Sequence, residues 1–137
     1  MRRPRPCFID SGGWIAMAIV GDPYHARARE TWHRLTIDRC KLYSSVPVAI
    51  ETFTFLERNT DRNTALLWKD SLQAIRSLRL LECRVSDLSK AWQWFTRKDL
   101  HKLSAVDATS FTLMQQHRIP RAFTYDTHFA TAGFDLV

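Results

Sequence analysis

Lys102-Leu-Ser-Ala-Val-Asp-Ala-Thr-Ser-Phe-Thr-Leu-Met114 decides how this chain is read. Ser104 is placed to cap a helix, and Ala105, Val106, Ala108, Phe111, Leu113 and Met114 supply its apolar face. Asp107 falls in the first turn, among those residues. An acid there can be explained as a capping-box partner of Ser104. It can also be a carboxylate that faces a site. Three further acids sit in equally apolar settings and favour the second reading: Asp10 after Cys7-Phe8-Ile9, Glu51 inside Val46–Leu56, and Asp126 after Arg121–Tyr125.

Outward from that stretch, short apolar runs alternate with helical patterns. Strands are expected at 7–9, 41–44, 80–85, 121–125 and, as an edge strand, 133–137. Helices are expected at 14–20, 24–38, 47–59, 61–77, from Ser86-Asp87 to about 98, and from Ser104 to about 117. Ser11-Gly12-Gly13 reads as a tight turn, Gly21-Asp22-Pro23 as a turn with a cap, and Ile119-Pro120 as a helix stop. Strands alternating with helices specify an α/β fold around a parallel sheet of about five strands, covered on both faces. The 137 residues show no repeat or linker and form a single domain spanning 1–137.

The chain carries 20 Lys and Arg against 14 Asp and Glu, a net charge of +6, which favours an anionic partner such as nucleic acid. Cys7, Cys40 and Cys83 are odd in number, lack zinc-ligand spacing and read as reduced thiols. The apolar stretch after Asp10 is too short to span a bilayer, so no membrane is expected and the cytoplasm is the expected location. Arg2, Arg3 and Arg5 read as a frayed tail. Of the five tryptophans, Trp92 and Trp94 cannot share one helix face, so one of them is expected at the surface or in an interface.

In a parallel sheet, ligands bind beyond the carboxyl ends of the strands. Asp10 and Asp126 directly follow strands, Asp107 opens the helix before the last long strand, and Glu51 lies about a turn into the helix after the second. All four can converge on one sheet edge. Burying an unpaired carboxylate costs several kcal/mol, roughly, unless a basic group or a metal compensates. Oxygen-only ligands select Mg²⁺ or Mn²⁺, and such a site suits phosphodiester cleavage. Each acid also has a structural explanation: Asp126 as an N-cap, Asp10 as a turn residue beside Gly12-Gly13, Glu51 as a partner of Arg58 or Lys41. Ser104 and Thr124 are candidates for supporting hydroxyls. Arg27, Arg58, Arg62 and Arg121 are candidates for holding a nucleic-acid backbone, and His128 for touching substrate. A haloacid-dehalogenase type of phosphotransferase is disfavoured, because Gly12 stands where that chemistry needs a second Asp.

The motifs resemble those of PIN-domain proteins. FIDSGGWIA with DPYHARA resembles the first motif, SVPVAIETFTFL the second, KLSAVDATSFTLMQQHRI the third and AFTYDTHF the fourth. The resemblance covers essentially the whole chain and is nearest to the short VapC-type toxins. It implies an α/β/α sandwich, a metal-dependent endoribonuclease of a type II toxin–antitoxin system, and Asp10, Glu51, Asp107 and Asp126 as the metal-binding and catalytic acids. It implies Ser11 and Thr124 as supporting hydroxyls, a homodimer, and silencing by a cognate antitoxin. Two features depart from the family pattern. Gly12-Gly13-Trp14 is unusual in the first motif, and Asp99 is displaced by one residue and is not counted as a ligand. The alternative is a catalytically inactive PIN-like module that binds RNA or protein.

Overall fold

A computed structural model describes residues 4–137; Arg2 and Arg3 lie outside the described residues. Five strands form one parallel sheet in the order β3-β2-β1-β4-β5. They are β1 (Cys7–Ile9), β2 (Leu42–Ser45), β3 (Leu78–Leu81), β4 (Arg121–Phe123) and β5 (Asp135–Leu136). β1 is central and wholly buried, as expected of an all-apolar run between two parallel neighbours. The helices between them are α1 (Ser11–Ala18), α2 (His25–Ile37), α3 (Val46–Asn59), α4 (Arg62–Ala74), α5 (Val85–Ala91), α6 (Ala105–Gln116) and α7 (His128–Thr131). Among them, none is long and apolar enough to cross a membrane.

Local chemistry sets the helix starts that matter for the site. The Ser45 hydroxyl accepts the Val48 amide at 3.2 Å, and Pro47 sits in the first turn, so β2 passes straight into α3. Val48, Thr52 and Leu56, at four-residue spacing, then face the core. The Ser104 hydroxyl accepts the Asp107 amide at 3.0 Å and opens α6.

α6 is buried continuously from Asp107 to Met114. Its polar residues are tolerated because Thr109, Ser110 and Thr112 donate back to the carbonyls of Val106, Val106 and Ala108. The expected apolar face is therefore too narrow a description, and Ala105 is in fact exposed.

Four expectations need correction. Ser11-Gly12-Gly13 is the first turn of α1, not a loop. A Cβ on Gly13 would lie 2.8 Å from the Phe123 carbonyl oxygen, so this glycine is there to let α1 cross β4 closely. β3 ends at Leu81, because the Asp87 carboxylate accepts the Arg84 amide at 2.8 Å and starts α5 at Val85. The helix expected to reach 98 breaks at Ala91 into a 3₁₀ segment, Trp92–Thr96. There Trp94 turns inward onto Phe111 and donates to Thr112, while Trp92 stays half exposed. Finally, Arg5 is no tail: it pairs with Asp135 at 2.9 Å, and its carbonyl accepts from Arg121. The three cysteines are free thiols.

Candidate metal and active site

The parallel arrangement puts every strand's carboxyl end on one edge, and that is where the acids lie. Asp10 leaves β1 at the cap position of α1 but makes no cap bond with its side chain. It is 3% exposed. Its Oδ2 accepts the Thr124 hydroxyl at 2.8 Å, whereas Oδ1 is buried with no hydrogen-bond partner. Thr124, just past β4, also accepts the Asp126 amide at 3.1 Å. One buried hydroxyl thus turns the chain out of β4 and ties Asp10 to Asp126, which is why the strand stops at Phe123 and does not reach Tyr125.

Asp107 projects from the first turn of α6 and is hydrogen-bonded to Asp126. Its side chain is not spent on a capping box. Asp126 accepts the His128 amide at 2.9 Å, and His128 Nδ1 lies 2.9 Å from the same Asp126 oxygen in a close contact not aligned as a hydrogen bond. Ligand atoms of Asp107, Asp126 and His128 all fall within 4.8 Å of one another. Glu51, half-buried on the second turn of α3, is near enough for its charge to act on both Asp10 and Asp107. Among the described residues, no Lys or Arg pairs with any of these four acids, so the suggested Glu51 partners Arg58 and Lys41 are not used.

The electrostatic consequence is large. Burial is the main reason the Asp10 carboxyl is pushed up to about 6; the Thr124 hydrogen bond and the Ser11 amide work against the rise, and the charges of Glu51 and Asp126 add to it. Asp107 is driven further, to about 9, first by burial and then by the Asp10 charge, its hydrogen bond to Asp126, and the charges of Asp126 and Glu51. Burial opposes the charge on Asp126 too, but hydrogen bonds from Asp107 and His128 outweigh it and hold this carboxyl below its ordinary value. Asp107 is thus pushed up and Asp126 held down, the opposed shifts of two adjacent, coupled carboxyls.

The PIN-domain family model matches residues 7–135. The chain belongs to the PIN-domain family. It is 33% identical over 130 residues to the 23S rRNA-specific endonuclease VapC20 of Mycobacterium tuberculosis, covering 93% of this chain and 94% of that protein. The crystal structure of that VapC20, described as a sarcin-ricin loop cleaving toxin, superposes with a TM-score of 0.81 at 29% identity, covering 93% of this chain and 95% of that one. VapBC2 from Rickettsia felis, bound to a promoter DNA fragment, matches with a TM-score of 0.70 over 96% of each chain. At 10% identity, it speaks for the PIN fold alone.

The other candidates in this PIN domain divide by position. Ser11 contributes its amide near Asp10, and Ser104 is occupied as the α6 cap. Arg27 lies beside Tyr125, the neighbour of Asp126, with its guanidinium carbon 5.7 Å from the ring centre. Arg58 is exposed near the end of α3, about 10 Å along the helix from Glu51 by helical rise. Arg62 is held by Glu57 at 3.0 Å.

Arg121 is misassigned: it opens β4 at the opposite edge of the sheet, donating to the Arg5 carbonyl and to Cys40 Sγ. Spacing alone could not reveal this, because a residue two positions before Phe123 looks close to Asp126 until the strand direction is known. Asp99 is paired with Arg97 at 2.6 Å. His128 stands closer to the acids than its expected role implied, and its position two residues after Asp126 was the available signal.

The residues fit a hard divalent cation. The cleft offers carboxylate oxygens, one of them a buried Oδ1 without a hydrogen-bond partner, and among the described residues only His128 pairs with them as a basic side chain.

Proposed function

We propose that this PIN domain is a Mg²⁺- or Mn²⁺-dependent endoribonuclease that cleaves RNA phosphodiester bonds, with Asp10, Glu51, Asp107 and Asp126 as its metal-binding and catalytic acids. It is a homologue of VapC20 and a ribonuclease of the toxin–antitoxin type. The carrying observation is Asp10: a carboxylate 3% exposed, with one oxygen unbonded, gathered with three other acids that pair with no Lys or Arg among the described residues. A purely structural role would leave no reason to keep that arrangement.

When bound, a hard divalent cation offsets the repulsion of the carboxylates and activates water for in-line attack on phosphorus. The chain's own residues do the rest. Thr124 fixes Asp10 Oδ2 so that Oδ1 faces the cleft. The α6 cap presents Asp107 toward Asp126. Asp126 anchors the start of α7 through the His128 amide, which holds the imidazole at the rim. Arg27 supplies positive charge beside the acids for the RNA backbone. A cognate antitoxin, a homodimer and a cytoplasmic location are proposed on the likeness to the VapC20 endonuclease. The inactive-module alternative has no observation in its favour.

The test is cleavage of RNA, with 23S rRNA as the first substrate because it is the named target of the relative. Cleavage restored by Mg²⁺ or Mn²⁺ after EDTA treatment is expected. Undiminished cutting in EDTA would remove the metal from the mechanism.

A further inference from the structure

Two of the three tyrosines meet beside the acids, in an arrangement the metal-site reading does not use. Tyr24, at the start of α2, and Tyr125, one residue before Asp126, stack with ring centres 4.2 Å apart and planes 7° from parallel. Phe123 braces Tyr125 edge-on at 6.2 Å. The Asp22 carboxylate accepts the Tyr24 amide at 2.8 Å and fixes the turn that delivers the ring. Tyr24 is 43% exposed, and no other ring among the described residues stacks on it. The Arg27 guanidinium carbon lies 5.9 Å and 5.7 Å from the two ring centres, and Arg27 is in no ion pair among the described residues.

A half-exposed aromatic ring in register with a second ring is costly surface to leave in water, and rigid enough to act as a platform. The open face of Tyr24 has the shape that a nucleobase takes against aromatic side chains, and an unpaired guanidinium alongside supplies the charge for the adjoining phosphate. Position ties the platform to the chemistry. Thr124, Tyr125 and Asp126 are consecutive, so the inner ring is anchored between the hydroxyl that holds Asp10 and the acid that faces Asp107. A base on the outer ring would therefore lie at the same end of the sheet as the acids.

We propose that Tyr24, backed by Tyr125, is the stacking shelf for an unpaired base flanking the cleaved phosphodiester, with Arg27 holding the neighbouring phosphate. This rests on the ribonuclease reading and narrows it. The substrate must present an unstacked base at the cut, as a loop or single strand does and a continuous duplex does not. Tyr24 and Tyr125 are positioning and specificity residues in this scheme, distinct from the acids.

The test uses the full chain and a loop-bearing RNA that it cuts, with a single abasic residue scanned through the positions flanking the cut. For the unaltered protein, one abasic position should lower kcat/KM roughly tenfold or more, the scale of one base–aromatic stack. Tyr24→Ala should cut intact RNA as poorly as that abasic RNA, and cut the abasic RNA as well as the unaltered protein does. Tyr24→Trp should restore the difference. A Tyr24→Ala variant that slows both RNAs equally would mean that the ring merely supports Asp126, and would overturn the shelf. So would one that cuts both at full rate, including the case where it loses inhibition by an antitoxin instead.

A second readout separates this inference from the ribonuclease reading. In EDTA, RNA carrying 2-aminopurine at the flanking position should be quenched on binding the unaltered protein and the Tyr24→Trp variant, but not Tyr24→Ala. Quenching without cleavage in any metal would sink the nuclease and keep the shelf; cleavage without Tyr24-dependent quenching would do the reverse.

Discussion

The two ends of the sheet handle charge in opposite ways. At the amino end, Arg5 pairs with Asp135, and Arg121 donates to the Arg5 carbonyl and to Cys40, beside the buried Cys7 thiol. The exposed Arg5 and Asp135 answer each other there, and the hydrogen bonds of Arg121 tie the start of β4 to the residues before β1. At the carboxyl end, four acids meet and pair with no Lys or Arg among the described residues; two are nearly fully buried and one has an orphaned oxygen. The amino end leaves Arg121 Nε without a partner but sets opposite charges side by side, whereas the carboxyl end sets like charges together. That contrast marks the carboxyl end as a site, because unpaired buried charge lowers stability unless something else binds it.

The sharpest way to break the comparison is to neutralise the most buried acid. Asp10→Asn keeps the size and one hydrogen-bonding oxygen for Thr124 but removes a charge. Cleavage should fall on the order of 10²-fold or more, as for loss of a pre-organised electrostatic group in a closed site. The metal-free protein should melt no lower than the parent, because a buried charge has gone. Parallel cleavage and melting assays check this; lost activity with lost fold would make Asp10 a structural residue.

The second test uses pH. Asp10 and Asp107 bind their protons more tightly in the folded chain than in the unfolded one, where a carboxyl titrates near 3.8. The folded state is thus penalised fully above those raised values and is relieved as pH falls through them. In EDTA, stability should rise as pH drops from about 9 toward about 5. Asp10 alone, moved from 3.8 to about 6, accounts for roughly 3 kcal/mol of this. Glu57, Asp61, Asp87 and Asp99 have lowered values, and their contributions are lost only as pH falls below the ordinary carboxylate range, so they reverse the trend at the acid end. Saturating Mg²⁺ or Mn²⁺ should flatten the slope and add roughly 3 kcal/mol at a hundred times its Kd. A melting curve indifferent to both pH and metal would erase the difference between the two edges.

The third test concerns how the site is built. At Gly13 an added Cβ meets the Phe123 carbonyl at 2.8 Å and its ring at 3.0 Å, whereas at Gly12 the nearest atom is 3.6 Å away. Gly13→Ala must push α1 from β4, and with it Asp10 from Thr124. It should cost about 1–3 kcal/mol and slow cleavage. Gly12→Ala adds helix propensity without a clash and should be neutral or stabilising by up to ~1 kcal/mol. Equal effects from the two would mean that the close crossing is not what sets the site.

How much of this was readable from residues alone follows from where each signal resides. The four acids were legible as candidates because Asp10, Asp107 and Asp126 interrupt apolar runs at a strand end or helix start, and Glu51 interrupts one inside a helix. The parallel sheet was legible because its strands read as short continuous apolar runs. Strand ends were not, since β4 stops at Phe123 only because the Thr124 hydroxyl is recruited by Asp10, a contact 114 residues away in sequence. Gly12-Gly13 looked like a turn because a glycine needed for a close crossing and one needed for a bend are the same letter. The Tyr24–Tyr125 stack joins residues a hundred positions apart and has no local pattern.

Arg27 and Arg121 make the finest comparison, and the smallest expected effect. Both are arginines once expected to grip RNA, one beside the acids and one at the far edge. Arg27 is exposed and in no ion pair among the described residues, whereas Arg121 is half-buried and committed to Arg5 and Cys40. If the RNA backbone runs along the carboxyl edge, removing Arg27 releases one fewer counterion on binding. Arg27→Gln should reduce the salt dependence of RNA affinity by about one in log–log slope. Arg121→Gln changes net charge identically but lies off the path. It should leave that slope unchanged and cost about 1 kcal/mol of stability through its lost hydrogen bonds. Since the two variants carry the same overall charge, a general attraction between a basic protein and RNA predicts equal slopes for both. Only a bound strand at the acidic edge predicts that they differ.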